Sequence, residues 1–203
     1  MNPLPIVLAL HYQNDQLHPK GRIRVGLSED DPARARLIAA AGRLLTGARA
    51  RGWPIIHVRM AFRPDYADLT RNTPIFRKTI EIGAVRDGHW GAEFYAELAP
   101  IDSPREFAFK HNRISAFYGT ELEILLRQLD ARQLVVGGIA THSVVESTVR
   151  DAADRGYEVT VAADACAAAG AAHDNALASM RLIAEVDDVD PLLARLDAQG
   201  AQS

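Results

Sequence analysis

Side chains able to do chemistry stand at the ends of three apolar runs of the sequence. His11 ends PIVLALH, Lys110 lies near the end of REFAFKH, and His142 and Ser143 follow QLVVGGIAT. A histidine can exchange protons near neutral pH, and a lysine at a buried strand end can act as a base or as a Schiff-base nucleophile. A serine hydroxyl becomes a nucleophile only with a base within reach, and His11 and His142 are the candidates for that base.

A structural role remains open for each of these residues. Ser143 could bond a backbone group in a first helical turn, His11 could be satisfied by hydrogen bonds in the core, and Lys110 could stabilise the fold or orient a substrate. The seven histidines show no spacing typical of metal ligands, so neither a metal nor another cofactor is predicted. The aromatic residues that could form a pocket wall, or could equally lie in the core or an interface, are Trp90, Phe117 and Tyr118.

The elements that must position these side chains alternate between strands and helices. Strands are expected at residues 5–11, 54–60, 105–111, 133–139 and 157–165. Helices are expected at residues 31–52, 91–100, 120–129, 141–155, 173–185 and 191–198. This alternation predicts a single α/β domain over residues 1–203, a doubly wound, Rossmann-like parallel sheet with helices on both faces. Ligands of such sheets bind at the carboxyl ends of the strands, so the three strand ends form the candidate site.

Local signals fix some of the expected boundaries. Asp31 is predicted to cap a helix that has Pro32 at its first position, and Thr120 to Glu123 reads as a capping box. The segment at residues 61–91 has no clear hydrophobic period and is long for a connection within a compact domain. Segments of this kind often form the wall or the lid of a site.

Composition and charge exclude several classes of partner. The chain has 203 residues, a net charge of -3 and 48% hydrophobic residues, which argues against nucleic acid or an anionic membrane as the main partner. No apolar run is long enough to span a bilayer, and MNPLPIVLALHYQND is predicted to contain a strand and not a signal peptide. A single cysteine, Cys166, permits no internal disulfide. A cytoplasmic location is therefore expected.

Five segments, in order along nearly the whole chain, resemble the motifs of the isochorismatase-like (cysteine hydrolase) superfamily. HYQNDQL resembles its D-x-Q-N-D-F, GHWGAEFYAELAP its G-T-x-G-A-E, and KHNRISAFYGTEL its K-x-x-x-S-A-F-x-G-T. GIATHSVVESTVRDAADRGY is similar to G-x-x-T-x-x-C-V-x-x-T-x-R-D-A-x-x-R-G-Y, and ADACAA to D-A-C-A. Each match alone is weak, but their number and order make the resemblance specific.

The resemblance implies a catalytic triad of Asp, Lys and Cys, of which this chain keeps one member. Lys110 is matched to the lysine, His11 stands at the aspartate position, and Val144 stands at the cysteine position. Val144 has no nucleophilic atom, so covalent catalysis from that position is excluded. Cys166 belongs to another motif and is expected to be a small buried hydrophobic residue.

The resemblance also implies the remainder of the site. The turn at residues 138–141 is expected to carry a non-proline cis peptide bond before Ala140 and to form the oxyanion site. The residues expected to bind substrate there are Ile139, Ala140, Thr141, His142 and Ser143. Family members usually assemble through helices that flank the site, so a homodimer or homotetramer is expected.

These observations predict a hydrolase that cleaves a C–N or C–O bond of a small molecule without a cysteine nucleophile. Water would attack, Lys110 would orient or polarise the substrate, and His11 would be the acid or base. Backbone N–H groups at residues 140–144 would hold the developing negative charge. The alternative is a catalytically silent relative that binds a small molecule or a protein.

Overall fold

The computed structural model describes residues 3–28 and 31–200, so the predicted domain limits at residues 1 and 203 lie outside the described residues. The strands are β1 (Ile6–Leu10), β2 (Ile55–Met60), β3 (Glu106–His111), β4 (Gln133–Ile139), β5 (Glu158–Ala167) and β6 (Glu185–Asp187). The α-helices are α1 (Asn14–Leu17), α2 (Pro32–Ala50), α3 (Pro74–Glu81), α4 (Leu122–Gln128), α5 (Glu146–Asp154), α6 (Ala172–Met180) and α7 (Val189–Gly200). None of the helices in this described part of the chain has the length and apolar character that crossing a membrane requires.

All six strands are parallel and lie in the order β3-β2-β1-β4-β5-β6. This arrangement confirms the predicted doubly wound α/β fold. The strand order reverses between β1 and β4, because β2 and β3 lie on one side of β1 and β4 to β6 lie on the other. Sheets of this type have a ligand-binding crevice at that position. Both strands end at that crevice with residues of the candidate site, His11 after β1 and Ile139 at the end of β4.

The apolar run of β1 is buried on both faces because helices cover both sides of the sheet. Ile6, Leu8 and Leu10 belong to the core on one face, and Val7 and Ala9 to the core on the other face. Side chains of a strand alternate between its faces, so a strand covered on both sides has to be apolar at every position. This explains why PIVLAL shows no alternation of apolar and polar residues.

The helix starts were predicted with unequal success. Asp31 caps α2 by accepting a hydrogen bond from the Ala33 N–H, and Pro32 is the first helical residue, as predicted. The capping box at Thr120 is wrong, because α4 begins at Leu122 and the cap position belongs to Glu121. Thr120 still accepts a hydrogen bond from the Leu122 N–H. The Glu123 carboxylate, which would complete the box, instead binds Arg127 and Arg155.

Three segments differ from their predicted structure. Residues 91–100 form no α-helix but two short 3₁₀ turns, since backbone groups of Glu93 and Tyr95 pair with the loop after β1. The irregular segment at residues 61–91 contains α3. The helix predicted at residues 173–185 ends at Met180, and residues after it form the three-residue strand β6.

Candidate active site

A cavity of about 430 Å³ lies at the carboxyl ends of β1 and β4. This size is within the range of small-molecule sites. His11, Ile139, Ala140, His142 and Ser143 line it, so five of the predicted site residues come together. The backbone of His11 has a φ of 58°, a left-handed conformation that costs a non-glycine residue about 1–3 kcal/mol. Strain of this kind is typical of functional positions.

The turn after β4 has the predicted form. The peptide bond between Ile139 and Ala140 is cis, which confirms the prediction. A π-helical turn, Thr141–Val145, follows directly and continues into α5. Because His142 and Ser143 in this turn line the cavity, the positive end of the helix dipole is directed toward the cavity.

Thr141 and Val144 are buried and do not line the cavity. Thr141 is fully buried, and its hydroxyl Oγ1 lies 2.9 Å from Nδ1 of His173. Val144 is part of the hydrophobic core, so the position matched to the family cysteine is occupied by an inert side chain. Neither residue offers a nucleophile to a ligand in the cavity.

His11, which follows β1 and lines the cavity, meets His111, the last residue of β3. Nε2 of His11 lies 2.5 Å from Nε2 of His111, and their ring centres are 4.8 Å apart. His111 is the last residue of β3 and was not predicted as a site residue. Both rings are buried, with 4% of each residue exposed. The site therefore contains a pair of imidazoles where the sequence predicted a single histidine beside a lysine.

Lys110 does not lie in this cavity, which corrects the sequence prediction. Its side chain is 52% exposed, and its Nζ binds a carboxylate oxygen of Asp87 at 2.5 Å. Consecutive side chains of a strand point to opposite faces, so only one of Lys110 and His111 can face the site. His111 faces it, and Lys110 points to the other side of β3.

The motif itself contained the signal for this correction. The family pattern K-x-x-x-S has three residues between its lysine and its serine, whereas four residues separate Lys110 from Ser115. The residue at the lysine position of the pattern is therefore His111. The alternation of β3 gives the same answer, because Phe107 and Phe109, which share the face of His111, pack against the core.

Hydrogen bonds fix which ring nitrogens of the pair carry protons. Burial lowers the pKa of His11 well below 6.5, His111 lowers it further, and a backbone hydrogen bond with Ile139 opposes both. Burial likewise lowers the pKa of His111 to about 4, against an opposing bond with the Ser115 backbone. Both rings are therefore neutral at pH 7, and each carries one proton.

The Ser115 carbonyl oxygen lies 3.2 Å from Nδ1 of His111 and can only accept a hydrogen bond. Nδ1 of His111 therefore holds the proton of that ring, and Nε2 of His111 is an acceptor. The short contact between the rings then requires Nε2 of His11 to donate. The nitrogen of His11 without a proton is thus Nδ1, and the Ile139 backbone would stabilise a proton gained there.

The three aromatic residues predicted as pocket walls lie elsewhere, which is a second correction. Phe117 is buried in the core beneath the guanidinium of Arg155. Tyr118 is 67% exposed and borders a separate surface groove. Trp90 borders a smaller neighbouring cavity. Large aromatic residues suit cores, interfaces and pockets equally, so residue type alone could not decide among these places.

Part of the cavity wall comes from a segment whose residues were not individually predicted. Helix α3 contributes Ile75, Phe76 and Thr79, so the segment at residues 61–91 forms a wall of the site as expected.

Gln16, at the phenylalanine position of D-x-Q-N-D-F, also lines the cavity. Gln16 is buried, and within the described part of the chain its side-chain oxygen has no hydrogen-bond partner. An unpaired buried polar atom costs about 1–3 kcal/mol.

No side-chain nucleophile is activated at the cavity. The Ser143 hydroxyl lines it but makes no hydrogen bond to a base within residues 3–28 and 31–200. Cys166 is buried in the core, as predicted, and burial raises the pKa of its thiol to about 12. The same described residues contain no group of three His, Cys, Asp or Glu side chains that could hold a metal ion.

Comparison with known proteins gives consistent matches. The model of the isochorismatase domain family matches residues 5–190. The chain is 33% identical over 162 residues to the isochorismatase family protein YecD of Escherichia coli O157:H7, a match that covers 79% of this chain and 83% of YecD. It is 31% identical over 153 residues to the ureidoacrylate amidohydrolase RutB of Methylorubrum extorquens, which covers 70% of this chain and 61% of RutB.

A solved structure shows the same fold over almost the entire chain. The isochorismatase family protein from Desulfovibrio vulgaris superposes with a TM-score of 0.82 at 28% identity. The superposition covers 97% of this chain and 100% of that protein. The similarity therefore includes every strand of the sheet and the crevice between β1 and β4.

Proposed function

The chain belongs to the isochorismatase family, and from this membership and the site geometry we propose that it hydrolyses a C–N bond of a small amide or ureide. Water is the nucleophile, and the pair of His11 and His111 is the acid–base group. The observation that carries the proposal is the contact between the two Nε2 atoms, which leaves a proton-free nitrogen on a ring that lines the cavity.

The proposed reaction moves one proton through His11. As the water oxygen bonds the substrate carbon, Nδ1 of His11 takes a proton from the water. The backbone of Ile139, which favours the protonated ring, and the acceptor nitrogen of His111 stabilise the imidazolium. When the C–N bond breaks, the same proton passes to the leaving nitrogen, so the enzyme returns to its starting state.

The negative charge that develops on the substrate oxygen is offset by the start of the helical segment after β4. His142 and Ser143 bring that helix end to the cavity, and the helix dipole favours a negative charge there. This role of the 140–144 backbone is carried over from the sequence prediction. Lys110 has no part in the proposal, because its ammonium group lies outside the cavity with Asp87.

Two further observations favour a C–N bond over a C–O bond. RutB, which is similar to this chain, is a ureidoacrylate amidohydrolase. The unpartnered side-chain oxygen of Gln16 at the cavity wall is an acceptor, and an amide or ureide N–H would satisfy it. Ile75 and Phe76 of α3 add apolar surface to the wall, which suits a small organic molecule beside the polar group.

The test is a hydrolysis screen of small amides, ureides and imides, with ester substrates as a comparison. His11→Asn is the diagnostic variant, since asparagine tolerates the left-handed backbone of that position. Lys110→Ala is the matched control. We expect His11→Asn to lose turnover by about 10²-fold or more, and Lys110→Ala to keep it.

Turnover that survives in His11→Asn but disappears in Lys110→Ala would contradict the proposal and restore the lysine as the catalytic group. Absence of turnover on the whole panel, with tight binding of one of its members, would instead favour the silent binding protein. The observation that favours this second function, binding without catalysis, is the buried Val144 at the position of the family nucleophile.

A further inference from the structure

A second, smaller cavity of about 170 Å³ adjoins the site and is lined mainly by basic residues. Lys20, Arg22, Arg86 and His89 contribute to its wall, and Trp90 closes one side. Arg22 also lines the larger cavity, so the two cavities share a wall. Nothing in the proposed hydrolysis uses these basic side chains.

Two guanidinium groups converge at one point of this cavity. Nη1 of Arg22 donates to the carbonyl oxygens of Gly83 at 2.6 Å and Ile82 at 3.0 Å, and Nε of Arg86 donates to the same Gly83 oxygen at 3.3 Å. A side chain at Gly83 would collide with both groups, since its Cβ would lie 2.5 Å from Arg22 and 3.1 Å from Arg86. Two positive charges thus share one neutral acceptor.

No carboxylate in the described residues forms an ion pair with these side chains. Lys20, Arg22 and Arg86 take part in none of the ion pairs found within residues 3–28 and 31–200. Asp15 is the one acidic residue on the cavity wall, and its two oxygens already accept backbone N–H bonds from Arg22 at 3.1 Å and Val85 at 2.7 Å. The neighbouring cations behave differently, because Lys78 and Lys110 each bind a carboxylate.

We propose that this basic cavity binds a small oxyanion, a phosphate, sulfate or carboxylate group. Like charges held close together repel each other, and an anion between them turns that repulsion into attraction. Arginine presents donors in a planar fork that matches the oxygens of such groups. The anion is either free in solution or part of a molecule whose remainder occupies the larger cavity, since Arg22 borders both.

Calorimetric titration of the protein with inorganic phosphate at constant ionic strength tests the site without requiring any activity. Arg86→Gln should weaken binding about tenfold or more, the usual range for loss of a charged hydrogen bond. Lys20→Gln, at an exposed position, should weaken it less and carries little risk to folding. Arg132→Gln removes the same charge from an exposed position outside both cavities and should leave binding unchanged.

Absence of phosphate binding by the folded wild-type protein would overturn the proposal, as would equal affinities of the Arg86, Lys20 and Arg132 variants. Phenyl phosphate then identifies the source of the anion. If it binds more tightly than phosphate, and Phe76→Ala in the larger cavity removes only that advantage, the anion is part of a larger ligand. Equal affinity for the two compounds assigns the site to a free anion.

Discussion

The two faces of β3 hold their polar residues in opposite ways. On one face, Glu106 binds Nε of Arg49 at 2.7 Å and Nε2 of His57 at 3.0 Å, so its carboxylate is fully used. On the other face, His111 meets the imidazole of His11 and no charged group. The Glu106 side chain and His111 are both buried, but only His111 contacts a residue that lines the cavity, His11.

Under the proposed function, this difference means that burial alone does not make a histidine catalytic. Burial lowers the pKa of His57 to about 4 in spite of hydrogen bonding and attraction from Glu106, and it lowers the pKa of His111 to a similar value. Both are neutral at pH 7. His57 is fully buried, whereas the His111 ring contacts His11, which lines the cavity. Contact with a ring that lines the cavity, and not the protonation state, distinguishes His111 from His57 in this proposal.

The largest expected effect comes from replacing the two histidines by the same residue. His111→Asn should lower kcat/KM by about 10²-fold, because it removes the acceptor that fixes the proton-free nitrogen of His11. His57→Asn should leave kcat/KM within about twofold, because His57 touches no part of the cavity. Steady-state kinetics on the substrate found by the screen measures both. Equal losses of kcat/KM in the two variants would contradict the functional difference between the two faces of β3.

The second effect is on stability and has the opposite pattern. Glu106→Gln should lower the free energy of unfolding by about 2–3 kcal/mol, since it breaks a buried ion pair with Arg49 and weakens the bond to His57. The same variant should retain full kcat/KM per folded molecule. Urea unfolding followed by circular dichroism gives the first value. An unchanged free energy of unfolding would mean that the Glu106 carboxylate and its bonds to Arg49 and His57 do not stabilise the fold.

The third effect concerns pH. Unfolding returns the pKa of His11, His57 and His111 to about 6.5, so the unfolded chain takes up protons below that pH while the folded chain does not. The free energy of unfolding should therefore fall as pH drops from 6.5 toward 4, by at most about 1.4 kcal/mol per pH unit for each histidine. Comparing His57→Asn with wild type by urea unfolding at pH 7 and pH 5 isolates one contribution. An identical fall in both proteins would contradict the lowered pKa of His57.

The same lowered values predict the rate profile. Because the neutral pair is the base, kcat/KM should remain constant from pH 8 down through 6.5 and decline only at lower pH. A decline centred at pH 6.5 or above would contradict the buried pair as the base.

The smallest effect is expected at the lysine that the sequence favoured. Lys110→Ala removes a partly exposed ion pair with Asp87 and should change the free energy of unfolding by no more than about 1 kcal/mol. Its kcat/KM should stay within about twofold of wild type. A large loss of kcat/KM in this variant would show that the ammonium group reaches the substrate during turnover.

Most of the fold was predictable because its signals are local and strong. The apolar run of β1, the cap at Asp31 and the alternation of strands with helices each gave the correct element. The strand β6 was missed because three residues carry no measurable period. The stretch at residues 91–100 was misread as a helix because its backbone bonds go to the distant loop after β1, which no local pattern reveals.

The site was predictable only in part, for a similar reason. The turn at residues 139–143, its cis bond and His11 were found from motifs. The pairing of His11 with His111 joins residues 100 positions apart, and strict alternation along β3 would have been needed to select His111 over Lys110. Gln16 was missed because a glutamine in a four-residue helix carries no signal of function until a cavity is seen beside it.

The most direct test of the central claim is to determine the protonation of each ring nitrogen of His11 and His111 by ¹⁵N NMR at pH 7, with His57 as an internal reference. The account predicts two neutral rings, with the proton on Nδ1 of His111 and on Nε2 of His11. A proton on Nδ1 of His11, or a positive charge on either ring at pH 7, would contradict it, because the site would then lack the base that the proposed hydrolysis requires.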